Sequence, residues 1–345
     1  MKRILQKLLI GLITLIIVVV LYVFVSPLLI RHSYTKVENS AKWMARAGDD
    51  MLISELYIPG THDSGSDYAD LAYFSKCQSS GIKAQLEEGY RYLDVRLEIE
   101  ETKTGSRLIF CHGFCKCRRG PWPWSPVLEL EDVLRECYAF LDDNPTETIV
   151  FAVKMEQGSD TEAFQKLLHE YINKDPDRWY LSDTIPRMAE CRGRLVLFRR
   201  YEDVCNYGSK SGIQLFWADQ GGKEDTSLNA VLEQQDKYKL IVQDRYKYNA
   251  SDKWKAFLAG LDYSAMIDAD LRISFLSTNG TPKFGHPYSY AKVLNKNFLL
   301  NDFSKLVPTW MILDFSNAVM AEKVYDLNFR RARITQWTEN LTGHV

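Results

Sequence analysis

The most informative stretch of the chain is Ile58-Pro59-Gly60-Thr61-His62-Asp63-Ser64-Gly65-Ser66. A short apolar run, Leu52–Ile58, precedes the Pro-Gly pair and predicts a buried β-strand, and a histidine and an aspartate follow side by side. In an α/β barrel the active site is built from residues just past the carboxyl ends of the strands. The stretch therefore predicts a functional site, provided that partners of His62 lie at the ends of other strands.

Strand-like and helix-like segments alternate along the rest of the chain. The predicted strands are Leu52–Ile58, Tyr90–Ile99, Arg107–Cys111, Thr148–Met155, Arg194–Tyr201, Leu240–Asp244, Leu271–Ser277 and Trp310–Phe315. The predicted helices are Leu128–Asp142, Asp160–Asn173, Ala250–Ala269 and Tyr288–Leu299. The second of these helices begins with the capping signal Ser159-Asp160-Thr161-Glu162. This alternation indicates parallel βα units, and a barrel is their economical closure at this length.

The first thirty residues differ from the rest. Leu8–Val25 carries no charge, and the apolar run continues to Ile30, which is long enough for a helix to cross a bilayer. The bulky Val23-Phe24-Val25 offers no small-residue cleavage site, so we expect a signal-anchor rather than a cleaved signal peptide. The expected organisation is a tail at 1–7, a transmembrane helix at 8–30, a polar linker at 31–50 and a barrel at 51–345.

The orientation of this anchor is left open by counting charges, because basic residues lie on both sides of it. A short tail ahead of a large domain predicts a single-pass protein of the cell membrane with the domain outside. The formal net charge of −2 gives no support to nucleic-acid binding.

Cysteines raise a separate question. Of the seven in the chain, Cys111, Cys115 and Cys117 crowd around His112, which suggests a zinc site. Structural zinc sites usually bring two separated ligand pairs, and no second pair follows at a suitable spacing. A disulfide within the cluster or free thiols are favoured over zinc, and the sequence leaves those two open.

Polar residues mark the ends of the predicted strands. Seven lie near or just past a C-terminal strand end: His62, Arg96, His112, Lys154, Arg200, Asp244 and Asp314. Residues two apart on a strand share a face, so Asp94 and Arg96 point the same way, as do Asp244 and Tyr246 if their strand continues. Asp94 and Arg96 alone could be an ion pair that serves the fold, but core packing does not readily explain the whole set.

Two histidines on separate strand ends suit in-line phosphoryl chemistry. One, neutral, removes a proton from the attacking hydroxyl, and the other, protonated, supplies one to the leaving oxygen. Asp63 and Asp314 could orient the rings and separate their protonation states. An arginine beside an aspartate presents a planar fork to phosphate oxygens, and the other cations favour an anionic substrate.

Three ordered motifs resemble the X domain of the phosphatidylinositol-specific phospholipases C, and most strongly the bacterial, metal-independent branch. They are Ile58–Ser64, Gln85–Arg96 and Cys111–Gly113, and the resemblance continues through Glu147–Lys154, Phe198–Tyr201, Val242–Tyr246 and Trp310–Asp314. It covers essentially all of residues 45–335. The family fold is an irregular TIM barrel, which agrees with the alternation of strands and helices.

The resemblance implies a role for each catalytic residue. His62 would be the general base that takes the proton of the inositol 2-hydroxyl, steered by Asp314. His112, supported by Asp63, would be the general acid for the diacylglycerol oxygen, and Arg96 would clamp the phosphate. The implied products are diacylglycerol and inositol 1,2-cyclic phosphate.

The resemblance also implies how the substrate is held. Asp94 would orient Arg96. The inositol hydroxyls would be bound by Lys154, Arg200, Asp244 and Tyr246, with Tyr246 stacking under the ring. Because Arg96 stands where calcium-dependent relatives keep an acidic ligand, neither a metal ion nor another cofactor is expected. The expected partners are a phosphatidylinositol-type lipid and the membrane surface.

Two other functions remain open on the same residues. One is a barrel phosphodiesterase for another phosphodiester, such as a glycerophosphodiester, a class that generally needs a divalent metal. The other is a membrane-tethered, lectin-like module that binds inositol phosphates without turning them over, although a binder has no need of two proton-transfer groups.

One segment departs from the family pattern. Cys115–Trp124 contains two tryptophans among basic residues directly after His112. Such a segment suits docking at a lipid interface. A proline-stiffened loop whose tryptophans pack on the barrel is equally compatible with the sequence.

Overall fold

The structure is a computed structural model, and it describes residues 2–221, 230–261, 269–280, 286–303 and 306–330. The strands in this part of the chain are β1 (Pro59–Thr61), β2 (Tyr92–Thr102), β3 (Gly105–His112), β4 (Cys115–Lys116), β5 (Ile149–Met155), β6 (Trp179–Tyr180), β7 (Leu195–Arg200), β8 (Ile213–Gln214), β9 (Val231–Gln234), β10 (Lys239–Gln243), β11 (Leu271–Phe275) and β12 (Trp310–Leu313).

The α-helices in the same part are α1 (Lys2–Val25), α2 (Ala72–Ser75), α3 (Ile82–Glu87), α4 (Leu130–Asp143), α5 (Thr161–Ile172), α6 (Met188–Cys191), α7 (Ala250–Leu261), α8 (Pro287–Leu300) and α9 (Ala318–Tyr325). The predicted helices correspond to α4, α5, α7 and α8, although residues 262–268 of the third prediction lie outside the described residues. The predicted cap of α5 is confirmed, because the Asp160 carboxylate accepts a hydrogen bond from the backbone N–H of Ala163.

One sheet curls into the barrel. Its spatial order is β6-β7-β5-β2-β1-β12-β11-β10-β9, and each neighbouring pair is parallel except β10 with the edge strand β9. β8 pairs in parallel with the second half of β7. Side chains bridge the step from β8 to β10, where the Gln235 amide bonds both the N–H and the carbonyl of Phe216. The barrel is thus irregular, as expected.

Alternation along the strands separates two cores. On β5 and β7, Val150, Ala152, Val196 and Phe198 point into the barrel, where they pack with Trp310. The residues between them point outward and pack against helices such as α4 and α5. Both faces are therefore apolar, as is usual for parallel strands covered by helices. Asp94, Arg96, Lys154 and Arg200 continue the inward parity.

The predicted first strand is wrong in its position. Residues Ile53–Glu55 form a 3₁₀ turn, and β1 begins only at Pro59. Ile53 and Ile58 are fully buried because this segment closes the lower end of the barrel. An apolar segment that packs across the end of a barrel has the same sequence pattern as a buried strand. His62 still directly follows a strand, as predicted, because β1 ends at Thr61.

The third predicted strand, Arg107–Cys111, forms, but it lies outside the barrel. β3 is not a barrel strand but the antiparallel partner of the end of β2, from Leu97 opposite Phe110 to Thr102 opposite Gly105. The hairpin rises beyond the barrel and returns. His112, at the end of β3, comes back to the same mouth as His62.

The N-terminal part contains a helix and a buried segment. Helix α1 and the 3₁₀ turn Ser26–Leu29 form an exposed apolar stretch long enough to cross a membrane, and it could serve as a signal or an anchor. Trp43 and Met44 are buried in the inner core. Part of the segment predicted as a linker, 31–50, therefore belongs to the barrel's packing.

Candidate active site

A cavity of about 460 Å³ opens at the carboxyl ends of the barrel strands. Eight of the ten residues predicted from the sequence line it: His62, Arg96, His112, Lys154, Arg200, Asp244, Tyr246 and Asp314. The other two, Asp63 and Asp94, lie behind it with 1% and 0% exposure and contact the residues that line it. All ten predicted site residues thus gather in one place.

The two predicted catalytic histidines face each other across this cavity. Their ring centroids lie 6.4 Å apart, and the ring planes are nearly perpendicular, at 84°. One Arg96 guanidinium nitrogen lies 2.8 Å from His62 Nε2. Two imidazoles and a guanidinium therefore line the same part of the cavity.

The neighbours of His62 determine its tautomer. Nδ1 lies 2.8 Å from Asp314 Oδ1, and Nε2 faces the Arg96 guanidinium, which can only donate. Nε2 must then accept, and Nδ1–H donates to the carboxylate. The Nε2 lone pair therefore points toward Arg96 and the cavity, and a lone pair on this nitrogen is what a general base requires.

Local backbone geometry holds His62 in place. Asp63 and Phe315, which follow His62 and Asp314, have left-handed φ values of +47° and +46°, which are unusual for residues with side chains. The Gln78 amide bonds the carbonyls of His62 and Leu313. At Gly60, a Cβ would lie 2.4 Å from the Ile312 side chain, so only glycine fits where β1 crosses the core.

His112 has the opposite environment. Its Nδ1 donates to the Ser75 carbonyl at 2.7 Å and lies 2.8 Å from Asp63 Oδ2. Burial alone would lower the pKa of His112, but the charge of Asp63 outweighs it and the pKa is raised. Both contacts engage Nδ1, so the second proton of the imidazolium sits on Nε2. This is the state that a general acid requires.

The Arg96 side chain is fixed by carboxylates. Its Nε and one terminal nitrogen donate to Asp94 Oδ2 at 3.0 and 2.9 Å. The second Asp94 oxygen accepts from Arg200 at 3.1 Å. Burial acts to raise the pKa of Asp94, but Arg96 and Arg200 together hold it below its usual value. The guanidinium fork is therefore rigid and charged.

Strand register aligns three cations in one row. Arg96 on β2 is the partner of Lys154 on β5, which is the partner of Arg200 on β7. Glu156, which the sequence analysis missed, lies 2.6 Å from the Lys154 ammonium and 3.6 Å from the Arg96 guanidinium. Burial opposes its ionisation, yet Arg96 and Lys154 lower its pKa to about 2. Its spacing of two residues from Lys154 was the available signal.

Aromatic and acidic groups form the other wall. Arg200 lies 4.0 Å over the Trp217 ring, and Trp217 Nε1 donates to Asp244 at 3.2 Å. The Tyr246 hydroxyl donates to Asp219 at 2.7 Å. β10 ends at Gln243, so Asp244 and Tyr246 are brought together by the following loop and not by a continuing strand. Trp217 and Asp219 were missed because β8, which precedes them, has only two residues.

The three cysteines near His112 in the sequence do not form a zinc site with it among the described residues. All seven are free thiols. Within the described residues, Cys111, Cys115 and Cys117 belong to no group of three or more clustered metal ligands. Two such groups occur instead in the cavity wall, and both contain Cys77: one with His62 and Asp314, the other with Asp63 and His112.

The tryptophans of the loop after β4 do not pack on the barrel. Trp122 and Trp124 are 54% and 78% exposed, and their rings stack on each other with centroids 5.4 Å apart. Phe114 is also 80% exposed. Of the two interpretations of this segment, the exposure favours a surface that meets an apolar partner.

The chain resembles known proteins over most of its length. Residues 53–201 match the family described as phosphatidylinositol-specific phospholipase C, X domain. The 1-phosphatidylinositol phosphodiesterase of Staphylococcus aureus (strain Newman) is 28% identical over 299 residues, which cover 81% of this chain and 89% of that protein. The Listeria monocytogenes enzyme of the same name is 27% identical over 307 residues, 82% of this chain and 90% of the other.

Solved structures agree. The phosphatidylinositol-specific phospholipase C of S. aureus, with pentafluoro-Phe incorporated, has a TM-score of 0.66 at 23% identity and covers 84% of this chain and 98% of that one. The L. monocytogenes enzyme has a TM-score of 0.61 at 24% identity, with coverage of 84% and 98%. These likenesses show the TIM-like barrel. Residues 53–201 thus match the X domain of the phosphatidylinositol-specific phospholipases C, and most of the chain is similar to bacterial enzymes of that name.

Proposed function

We propose that this protein is a phospholipase C that cleaves phosphatidylinositol into diacylglycerol and inositol 1,2-cyclic phosphate without a metal ion. The observation that carries the proposal is the pair of imidazoles 6.4 Å apart with the Arg96 guanidinium against one of them. The names of the relatives support the same substrate.

The protonation states of the histidines support a single sequence of steps. His62 removes the proton of the inositol 2-hydroxyl, whose oxygen attacks the phosphorus. The bond from phosphorus to the diacylglycerol oxygen breaks, and His112 protonates that oxygen. Because the nucleophile belongs to the substrate, the attack loses little translational entropy and the cyclic phosphate follows.

The charges around Arg96 support independence from metal ions. Arg96 supplies a fixed positive fork for the phosphate, and Lys154 and Arg200 continue the cationic row. The positive charge of this row therefore comes from side chains. The remaining wall, with Asp244 and Tyr246, offers acceptors and an aromatic face for inositol hydroxyls and ring.

The N-terminal helix supports a tethered enzyme. Tyr22, near the end of α1, contacts Tyr73 of α2 with ring centroids 5.8 Å apart, and the next residue, Phe74, lines the cavity. An anchor that leaves the membrane beside α2 would hold the cavity mouth close to the lipid surface. We propose that α1 is a single-pass anchor of the cell membrane with the barrel outside.

The test is turnover of phosphatidylinositol in mixed detergent micelles by the full-length chain with excess chelator. Phosphorus NMR should show inositol 1,2-cyclic phosphate as the first product. Retention of full activity in chelator would argue against a metal-dependent phosphodiesterase for glycerophosphodiesters. No product from a folded preparation would overturn the proposal.

The matched variants are His62→Ala and His169→Gln. His169 is a buried histidine of the outer helix α5, away from the cavity. Under the proposed mechanism His62→Ala loses on the order of 10²–10⁴-fold in rate, the usual contribution of general acid–base catalysis, while His169→Gln keeps its rate. A lectin-like module would bind inositol phosphates equally well in all three proteins and turn over none.

A further inference from the structure

A thiol lies beside the proposed general acid. Cys77, two residues past α2, is 1% exposed and lines the cavity. Its Sγ lies 3.7 Å from His112 Nδ1. The proposed reaction assigns both proton transfers to imidazoles and gives this thiol no task.

Three donors of different type meet at this point. A carboxylate oxygen of Asp63, Cys77 Sγ and a ring nitrogen of His112 all lie within 4.8 Å of one another. Tetrahedral Zn²⁺, with bonds of about 2.3 Å to sulfur and about 2.0–2.1 Å to nitrogen or oxygen, needs donors roughly 3.3–3.8 Å apart. The separation of Sγ and Nδ1 already fits, and the 2.8 Å from Nδ1 to Asp63 Oδ2 must open by a few tenths of an ångström.

The burial of the Asp63 carboxylate is the second observation. Asp63 is 1% exposed, and the one close polar contact of its Oδ2 among the described residues is with the His112 ring itself. Its contacts with His112 Nδ1 at 2.8 Å and Arg96 at 3.9 Å are ion-pair contacts. A carboxylate oxygen can accept at about two lone-pair positions, so an Oδ2 with one close partner has capacity left for a ligand.

We propose that Asp63, Cys77 and His112 form a binding site for a thiophilic divalent cation, represented by Zn²⁺, and that its occupancy inhibits the enzyme. The ion takes the place of two protons, one from the Cys77 thiol and one from the His112 imidazolium. The net charge of the buried cluster is then unchanged. The Ser75 carbonyl, 2.7 Å from Nδ1, is available as a further oxygen ligand.

The inhibitory effect rests on the function proposed above. With Zn²⁺ on Nδ1, the ring keeps only the Nε2 proton of a neutral imidazole, which is a far weaker acid than imidazolium. The departing diacylglycerol oxygen then lacks a proton donor. Zn²⁺ therefore acts against catalysis, and a chelator maintains activity.

The other ligand group in the cavity wall is a poorer site. In the group of His62, Cys77 and Asp314, His62 Nδ1 and Asp314 Oδ1 already share a hydrogen bond of 2.8 Å. His62 Nε2 also accepts from Arg96 at 2.8 Å. The Asp63 group is favoured because Cys77 Sγ already contacts the His112 ring, at 3.7 Å.

The binding test uses Co²⁺ as a spectroscopic substitute for Zn²⁺ on the full-length chain in detergent. One equivalent should give a thiolate-to-Co²⁺ charge-transfer band, and Zn²⁺ should remove it. The band should be lost in Cys77→Ser and retained in Cys205→Ser, which removes the least buried thiol of the chain. Asp63→Asn should weaken binding, and Asp314→Asn should not. This readout does not depend on activity.

The activity test compares each protein with and without Zn²⁺, so a changed basal rate does not matter. The Zn²⁺ concentration for half inhibition should rise at least about tenfold in Cys77→Ser, since a soft thiolate ligand is lost, and stay unchanged in Cys205→Ser. Equal inhibition of all three proteins, or a band that survives Cys77→Ser, would overturn the site. A reversed order of the two aspartate variants would overturn the assignment of Asp63. Co²⁺ binding without any phospholipase C activity would overturn the proposed function but not the proposed cation site.

Discussion

His62 and His112 have the same side chain, and their neighbours give them different roles. Arg96 can only donate, so His62 Nε2 must accept and remain unprotonated. Asp63 and the Ser75 carbonyl both favour a proton on His112 Nδ1. One cation and one carboxylate thus give two identical side chains different hydrogen-bonding roles, which is how a single site supplies both an acid and a base.

The first prediction concerns pH dependence. Asp63→Asn removes the negative charge that raises the pKa of His112, while burial, which lowers it, remains. Because catalysis needs His112 protonated, the alkaline limb of the kcat profile should move to lower pH, and kcat at neutral pH should fall by at least about tenfold. The measurement is kcat against pH on phosphatidylinositol micelles for both proteins. An alkaline limb that stays in place would show that another group supplies the proton.

Residue positions were predictable where strand parity governs them. Asp94 and Arg96 point into the barrel because both are in step with the inward residue Tyr92, and alternation is readable in sequence. Trp217 was not predictable, because a two-residue strand leaves no alternation to count. The contact between Cys77 and His112 joins the loop after α2 to the end of β3, and only the folded chain brings them together.

At the scale of elements, the hairpin of β2 and β3 determines where the acid lies. Six paired positions carry β2 past the barrel rim and return β3 to it, so His112 reaches the cavity from an antiparallel strand. The sequence predicted both strands but not their direction, because an apolar run does not record its pairing partner. The loop that follows carries the exposed pair Trp122 and Trp124.

The second prediction concerns this loop. The double variant Trp122→Ala/Trp124→Ala removes two exposed aromatic rings that suit the interface of a membrane. Activity on phosphatidylinositol in vesicles should fall by about 10–100-fold, since each interfacial aromatic group contributes on the order of 1 kcal/mol or more. Activity on a soluble, short-chain substrate should hardly change. Flotation of the barrel with vesicles and initial rates on both substrates are the measurements.

The control for that variant is Leu300→Ala. Leu300 is 76% exposed at the end of α8 remote from the cavity, so it matches the loop in exposure and differs in location. Its rate on vesicles should equal that of the unmodified chain. If the loop variant lowers the rate on the soluble substrate as much as the rate on vesicles, the tryptophans stabilise the fold and do not bind the membrane interface.

At the scale of the whole molecule, one buried cation opposes stability. Lys253 of α7 is fully buried and donates to Gln243 Oε1 at 2.8 Å. Burial lowers its pKa to about 7, although Asp244 and Asp314 act to raise it. Between about pH 7 and pH 10.5 the unfolded chain binds more protons than the folded one, so this group makes stability rise with pH across that window.

The third prediction is that Lys253→Met increases the free energy of unfolding at pH 7, by on the order of 1–4 kcal/mol, and flattens its rise toward pH 10. Gln243 Oε1 keeps the backbone N–H of Arg245 as a donor, so the variant leaves it paired. Lys255→Met, at an exposed site on the same helix, is the control and should change little. Denaturant unfolding at several pH values measures both. An unchanged pH slope in Lys253→Met would exclude this lysine as its source.

The general organisation of the molecule was predictable because α/β alternation and strand-end polarity extend over the whole chain. The lower closure of the barrel was not, because it depends on packing between distant segments. Arg91 and Glu147, both 0% exposed, pair at 2.9 Å. The Glu147 carboxylate also accepts the backbone N–H groups of Met44 and Ala45 at 3.2 and 3.1 Å. Met44 and Ala45, which lie in the segment predicted to be a polar linker, are thus bound to the lower end of the barrel.

The last prediction follows from that closure. Trp43 stacks on Tyr325 with centroids 5.4 Å apart and donates to the Gly89 carbonyl at 2.9 Å. Loss of a buried tryptophan costs about 3–5 kcal/mol, a large share of the 5–15 kcal/mol that is usual for a folded protein. A chain that begins at residue 31 should unfold cooperatively near the temperature of the full chain, whereas one that begins at residue 51 should melt far lower or fail to fold. Full-length Trp43→Ala should show the same loss by thermal unfolding with the anchor intact. Equal melting temperatures for the two truncated chains would mean that the barrel closes without this segment.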